Sequence, residues 1–151
     1  MRGASDSTQP GGHRSVPHTA DLRVEAWGPT REVCLAQAVR GVCESFLDLA
    51  GAKPAPGPAR VRHREVTMLA DTDEDLLVTL LEEVVYWLDT QNEAPVEVEL
   101  TPVRGGLRAL LSMTDIGSLP VIGAAPKAVT LHGLACGGGP DGWCCSVTLD
   151  V

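Results

Sequence analysis

"LRVEAWGPTREVCLAQAVRGVCESFLDL", residues 22–49, changes its hydrophobic period halfway along. Leu22, Val24 and Ala26 alternate with Arg23, Glu25 and Trp27, the two-residue repeat of a half-buried strand. "GPT" stops that repeat, and Thr30 is suited to cap a helix, with Val33 three residues on. Leu35, Val39, Val42, Phe46 and Leu49 then recur at helical spacing to about residue 49.

The same change of period occurs once more. "RVRHREVTML" (60–69) alternates and puts Arg60, Arg62 and Arg64 on one face. "DTDEDLL" (71–77) opens a second helix with acids in its first turn, where the helix dipole favours them. Leu77, Leu80, Leu81, Val84 and Leu88 are its apolar stripe. The Pro/Gly/Ala stretch 51–59 between the two units reads as a loop, because neither side has enough strands to stand alone. "VEVEL" (96–100), the turn 104–106 and "LRALLS" (107–112) form one expected hairpin. "AVTLHGLA" (128–135), the turn 136–142 and "WCCSVTLD" (143–150) form another. The order is β-α-β-α-β-β-β-β, an α+β fold with two helices packed on a largely antiparallel or mixed sheet. Residues 1–14 are Gly, Ser, Pro and polar side chains and read as a disordered tail, leaving 15–151 as a single domain.

Composition narrows the function classes. Aromatics are 3% of the 151 residues, so Val, Leu and Ala must build the core. A net charge of −8 repels phosphate backbones and argues against direct nucleic-acid binding. No apolar run approaches the ~20 residues of a membrane span, and the start carries no secretory pattern. Five cysteines without repeated spacing fit reduced thiols. The expectation is a cytoplasmic, soluble protein.

Two acids stand out. By parity Asp21 lies opposite the face of Leu22, Val24 and Ala26, and Asp150 opposite that of Trp143, Cys145, Val147 and Leu149. In the preceding strand Val129 and Leu131 are expected to point inward, leaving Thr130 and His132 on the polar side. If the first and last strands are neighbours, Asp21 and Asp150 converge, and such a pair suits Mg²⁺, Mn²⁺ or Ca²⁺. Spacing alone favours a plainer reading, with Asp21 capping a turn and Asp150 solvated. Lys127, after Pro126, is placed to hold a phosphate or an acid, or else is simply exposed. The arginine stripe is expected to pair with Glu97 and Glu99. His132, Cys136, Cys144 and Cys145 lack zinc-site spacing, and Cys144 and Cys145 must point to opposite faces. No complete catalytic motif is present, so no catalytic residue is assigned.

Taken in order, "HTAD" (18–21), "EDLLVTLLEEVVYWLDT" (74–90), "PKAVTLH" (126–132) and "LDV" (149–151) resemble the archease family. That resemblance implies a non-catalytic protein cofactor of an RtcB-type RNA ligase. Its partner would use GTP and a divalent metal to seal RNA ends in tRNA splicing and RNA repair. The cofactor would promote guanylylation of the ligase and multiple turnover. It implies roles for Asp21, Lys127 and Asp150 in ligase activation, and metal binding at Asp21 and Asp150 with His18 as an additional neighbour. Leu131 departs from the family pattern, which often has an aromatic there. The alternatives are a general chaperone or interaction module, and a small metal-dependent hydrolase acting alone. Oligomeric state is left open.

Overall fold

The computed structural model describes residues 10–17, 21–51 and 62–151. Its elements are β1 (Gly12–Pro17), β2 (Asp21–Gly28), α1 (Arg31–Glu44), β3 (Arg62–Leu69), α2 (Asp73–Thr90), β4 (Glu93–Val103), β5 (Gly106–Asp115), β6 (Ala128–Gly139) and β7 (Gly142–Asp150), with short 3₁₀ turns at Leu49–Gly51 and Ile116–Ser118. Thr30 caps α1, its Oγ1 accepting from the Val33 amide at 3.1 Å, and Thr72 caps α2 in the same way from Asp75. Each cap satisfies one of the orphan amides of a first turn.

The strands form two antiparallel sheets, in the orders β1-β2-β7-β6 and β3-β5-β4. Alternation shows which face of a strand is apolar but not which strand it pairs with, and so the division into two sheets was invisible in it. Both helices touch both sheets: α1 packs on β2 and β7 and also on β4, while α2 packs on β6 and also on β3 and β4. The core is therefore continuous, joining Leu35, Val39 and Val42 of α1 and Leu77, Leu81 and Val84 of α2 to Val24, Val147, Leu149, Leu107 and Leu111 of the strands. Among the described residues no helix is long and apolar enough to cross a membrane.

Four expectations change. Residues 12–14, expected in the tail, belong to β1, which pairs with β2 from Gly12↔Trp27 to Pro17↔Leu22. His13 fastens this strand to α1, its Nδ1 hydrogen-bonded to Gln37 Oε1 at 2.8 Å and its Nε2 to Glu44 Oε1. The first helix stops at Glu44, five residues before its expected end, and the chain continues through Phe46 and Leu47 in irregular but buried backbone.

Third, β6 bulges. Thr130 faces Thr148 and Ala135 faces Ser146, so residues 131–134 stand against Val147 alone. Gly133 takes φ +71°, a left-handed conformation that glycine adopts without a Cβ penalty. The bulge cancels the parity of the strand, and Leu131, expected inside, is 72% exposed.

Finally, Arg62 and Arg64 do not meet Glu97 and Glu99, because β5 lies between β3 and β4. They face Met113 and Leu111 and share the core side of β3 with Val66 and Met68. There they enclose Glu93, which is 2% exposed. Arg64 donates to Glu93 Oε1 through Nε and Nη2 at 3.0 and 2.8 Å, and its guanidinium lies 5.6 Å from the Trp87 ring centre. Arg62 pairs with the other Glu93 oxygen and with Asp115. Arg60 lies outside the described residues.

Candidate functional site

The site is built where β2 begins and β7 ends. Antiparallel pairing aligns Asp21 with Asp150, Leu22 with Leu149, Arg23 with Thr148 and Val24 with Val147. Directly opposed residues of an antiparallel pair project from the same face, with Cβ atoms about 4.5–5.5 Å apart. Leu22, Val24, Val147 and Leu149 face the core, so the two aspartates emerge together on the other side. Like charges set directly opposite one another on a sheet are destabilising.

Nothing among the described residues neutralises that pair. Arg23 shares the face, but its Nε donates to Ser146 Oγ at 3.0 Å and its Nη2 lies 3.8 Å from Glu25, away from the acids. Thr148 is 5% exposed on the polar side because the bulge of β6 folds close to it. A Cβ on Gly133 would stand 4.0 Å from Thr148 Oγ1.

Lys127 arrives from the third direction. The Lys127 amide donates to the Asp150 carbonyl at 2.7 Å, and Ala128 pairs with Asp150 in the ladder. Pro126 beneath it is buried and Lys127 itself is exposed. Asp21, Asp150 and Lys127 are thus brought to one end of the four-stranded sheet, by contacts 129 and 23 residues apart in sequence. His18 lies outside the described residues. Among the described residues no group of three or more His, Cys, Asp or Glu side chains is arranged to hold a metal. The aspartates stand as a pair. Parity had already placed Arg23, Thr130 and Thr148 on the face of the two acids.

The cysteines are a separate group. Cys144 is exposed and Cys145 buried, on opposite faces as the alternation requires. Cys34 Sγ lies 3.5 Å from Cys145 Sγ, and hydrogen bonding with Cys136 and Cys34, together with burial, pushes the Cys145 thiol up. Burial pushes Cys43 up to about 12. Only the thiolate alkylates. Because Cys144 is exposed and Cys34, Cys43 and Cys145 are buried, iodoacetamide at neutral pH is expected to label Cys144 and to leave those three unmodified until the protein unfolds, as mass spectrometry of the native protein would show.

The chain is a two-helix, two-sheet α+β domain with two acids opposed where β2 begins and β7 ends. The chain belongs to the Archease protein family (MTH1598/TM1083), which it matches over residues 13–151. It is 54% identical over 140 residues to the "Probable protein archease" of Mycobacterium tuberculosis, covering 93% of this chain and 75% of that one. It is 28% identical to the protein archease of Methanosarcina barkeri, covering 96% and 99%. The fold matches the solution structure of Methanobacterium thermoautotrophicum protein 1598 with a TM-score of 0.66 at 21% identity, over 93% of this chain and 99% of that one. It also matches the crystal structure of a Thermotoga maritima archease, described as a possible chaperone, with a TM-score of 0.62 at 19% identity, over 90% and 94%.

Proposed function

We propose that this protein activates an RtcB-type RNA ligase without catalysing a reaction itself, promoting the ligase's guanylylation and turnover in tRNA splicing and RNA repair. The observation that carries the reading is the register Asp21↔Asp150 with the Lys127 amide bound to the Asp150 carbonyl. Three residues assigned by resemblance to one task lie at one end of the sheet.

Two opposed carboxylates that form no ion pair among the described residues fit a hard divalent ion such as Mn²⁺, Ca²⁺ or Mg²⁺. Asp21 and Asp150 would hold it, and bound there it would supply positive charge for the phosphate oxygens of the ligase's nucleotide. The backbone does the rest. It fixes the two opposed backbone positions in the ladder before any ligand arrives, so little main-chain entropy is lost on binding. Lys127 projects an ammonium beside them, able to hold a phosphate or a ligase carboxylate. The acidic surface favours approach to a basic, RNA-binding protein and keeps the activator itself off RNA.

Two assays test this. The first measures guanylylation of the ligase with and without the protein; absence of stimulation by the wild type refutes the activator reading. The second needs no ligase. Asp150→Asn removes the like-charge repulsion, so in chelator it is expected to melt slightly above the wild type. The wild type alone should then gain stability with Mn²⁺ or Ca²⁺, by about 2.7 kcal/mol when the ion is at a hundred times its dissociation constant. Equal stabilisation of both proteins would place the ion elsewhere. A general chaperone, the reading suggested by the description of the Thermotoga maritima protein, would instead suppress aggregation of unrelated clients whether or not Asp21 is present.

A further inference from the structure

A groove of about 850 Å³ runs between α2 and β6, near the end of β3. Its apolar surface comes from Leu69, Val78, Val129 and Leu131. Leu69 and Leu131 are 69% and 72% exposed, large aliphatic side chains that the core does not use. Asp71, Asp75 and Glu82 supply its charge, all three exposed and none ion-paired among the described residues, and no Lys or Arg lines it. Isolated exposed leucines are ordinary on protein surfaces; two leucines lining one groove together with carboxylates of one sign are a recognition pattern.

We infer that this groove docks a basic, leucine-bearing segment of the protein partner, holding it beside the Asp21–Asp150 pair. Charge complementarity selects the occupant. Three carboxylates repel RNA phosphates and anionic lipid headgroups alike, and they attract lysine and arginine. The leucines would anchor apolar side chains between those cations, the arrangement in which a buried contact carries affinity and a charged rim carries specificity. Position supplies the link to function. Val129 lines the groove and Ala128, one residue before it, pairs with Asp150, so a segment lying along β6 ends at the acids. The bulge that turns Leu131 outward is what makes the surface, because a regular strand would have buried that side chain. The inference rests on the activator reading for the partner's identity, but not for the chemistry of the occupant.

The probe is a short synthetic peptide alternating leucine and lysine, compared with leucine–glutamate and serine–lysine peptides of equal length and followed by amide chemical shifts of the full-length protein. The leucine–lysine peptide is expected to shift amides of residues 69–82 and 129–131. Leu131→Asp is expected to weaken it about tenfold, and Asp75→Lys with Glu82→Lys to do the same. Glu99→Lys, at an exposed acid outside the groove, should leave peptide binding unchanged. Both groove variants alter exposed side chains, and their own spectra report whether they fold. Equal binding of the serine–lysine peptide, shifts located elsewhere, or no response because the groove is filled by the chain itself would each overturn the proposal. Shifts appearing with protein concentration alone would assign the groove to a second copy and overturn it too. With the RtcB-type ligase, Leu131→Asp should raise the concentration for half-maximal stimulation about tenfold while leaving the maximum intact. Failure of the wild type to stimulate would refute the activator reading and leave the peptide result standing.

Discussion

Removing Asp150 and Val151 is expected to reduce ligase guanylylation to its unaided rate while leaving the protein folded. The deletion takes one of the two opposed carboxylates and the carbonyl that receives the Lys127 amide. It leaves β7 paired with β2 from Gly28↔Trp143 to Leu22↔Leu149, and leaves the fully buried Leu149 and Val147 in place. The lost hydrogen bond is worth about 1 kcal/mol, a few degrees in melting temperature. Function and stability thus separate: stimulation disappears and the fold does not. Asp21→Ala should reproduce the loss from the other strand without touching the chain end. It should also abolish stabilisation by Mn²⁺ or Ca²⁺, a readout independent of the ligase. Because the two acids act as one unit, combining Asp21→Ala with the deletion should cost no more than either alone. A truncated protein that stimulates like the wild type would remove Asp150 from the mechanism.

The largest effect on stability is expected at the other sheet, far from the acids. Arg62→Ala with Arg64→Ala leaves the Glu93 carboxylate, 2% exposed, with no cation and fewer hydrogen bonds. Stripping a buried charge of its partners costs about 3–5 kcal/mol. In a domain of this size that lowers the melting temperature by about 6–20 °C. Chemical denaturation of the double variant measures it. Either arginine alone should cost less, since the other still bonds the same carboxylate. Adding Glu93→Leu to the double variant should recover most of the loss, because the buried charge itself is then gone. If the double variant melts with the wild type, the carboxylate is solvated rather than held.

These two sites differ in how far they can be read from the sequence. The aspartates could be placed on the correct faces, because strand parity depends on the spacing of each residue from its neighbours alone. Their alignment could not, since nothing in "ADLRVEAW" or "CSVTLD" says that these two segments pair, or in which register. Family resemblance linked them before geometry did. The arginine stripe was legible as a stripe, and its even positions are those of Val66 and Met68, yet its partner was misassigned. Glu93 stands outside the alternation that marked the strand "VEVEL", and only the order β3-β5-β4 separates Glu97 and Glu99 from the arginines. The groove was illegible for a different reason. Leu131 is apolar at a position that alternation assigns to the core, and a bulge four residues long reverses it.

Local chemistry thus determined much from the sequence alone. The period changes at residues 28–30 and 69–72 set both helices, Thr30 set where the first one starts, and alternation set the faces of β2, β3 and β7. These depend on interactions within a few residues, and the chain carries them wherever it folds. Pairing was decided only in the tertiary structure: two sheets instead of one, β1 fastened by His13, Asp21 opposite Asp150, and Leu131 turned out to solvent. Register and bulges are chosen by how a whole sheet packs on two helices, and that choice is made between residues up to 129 positions apart.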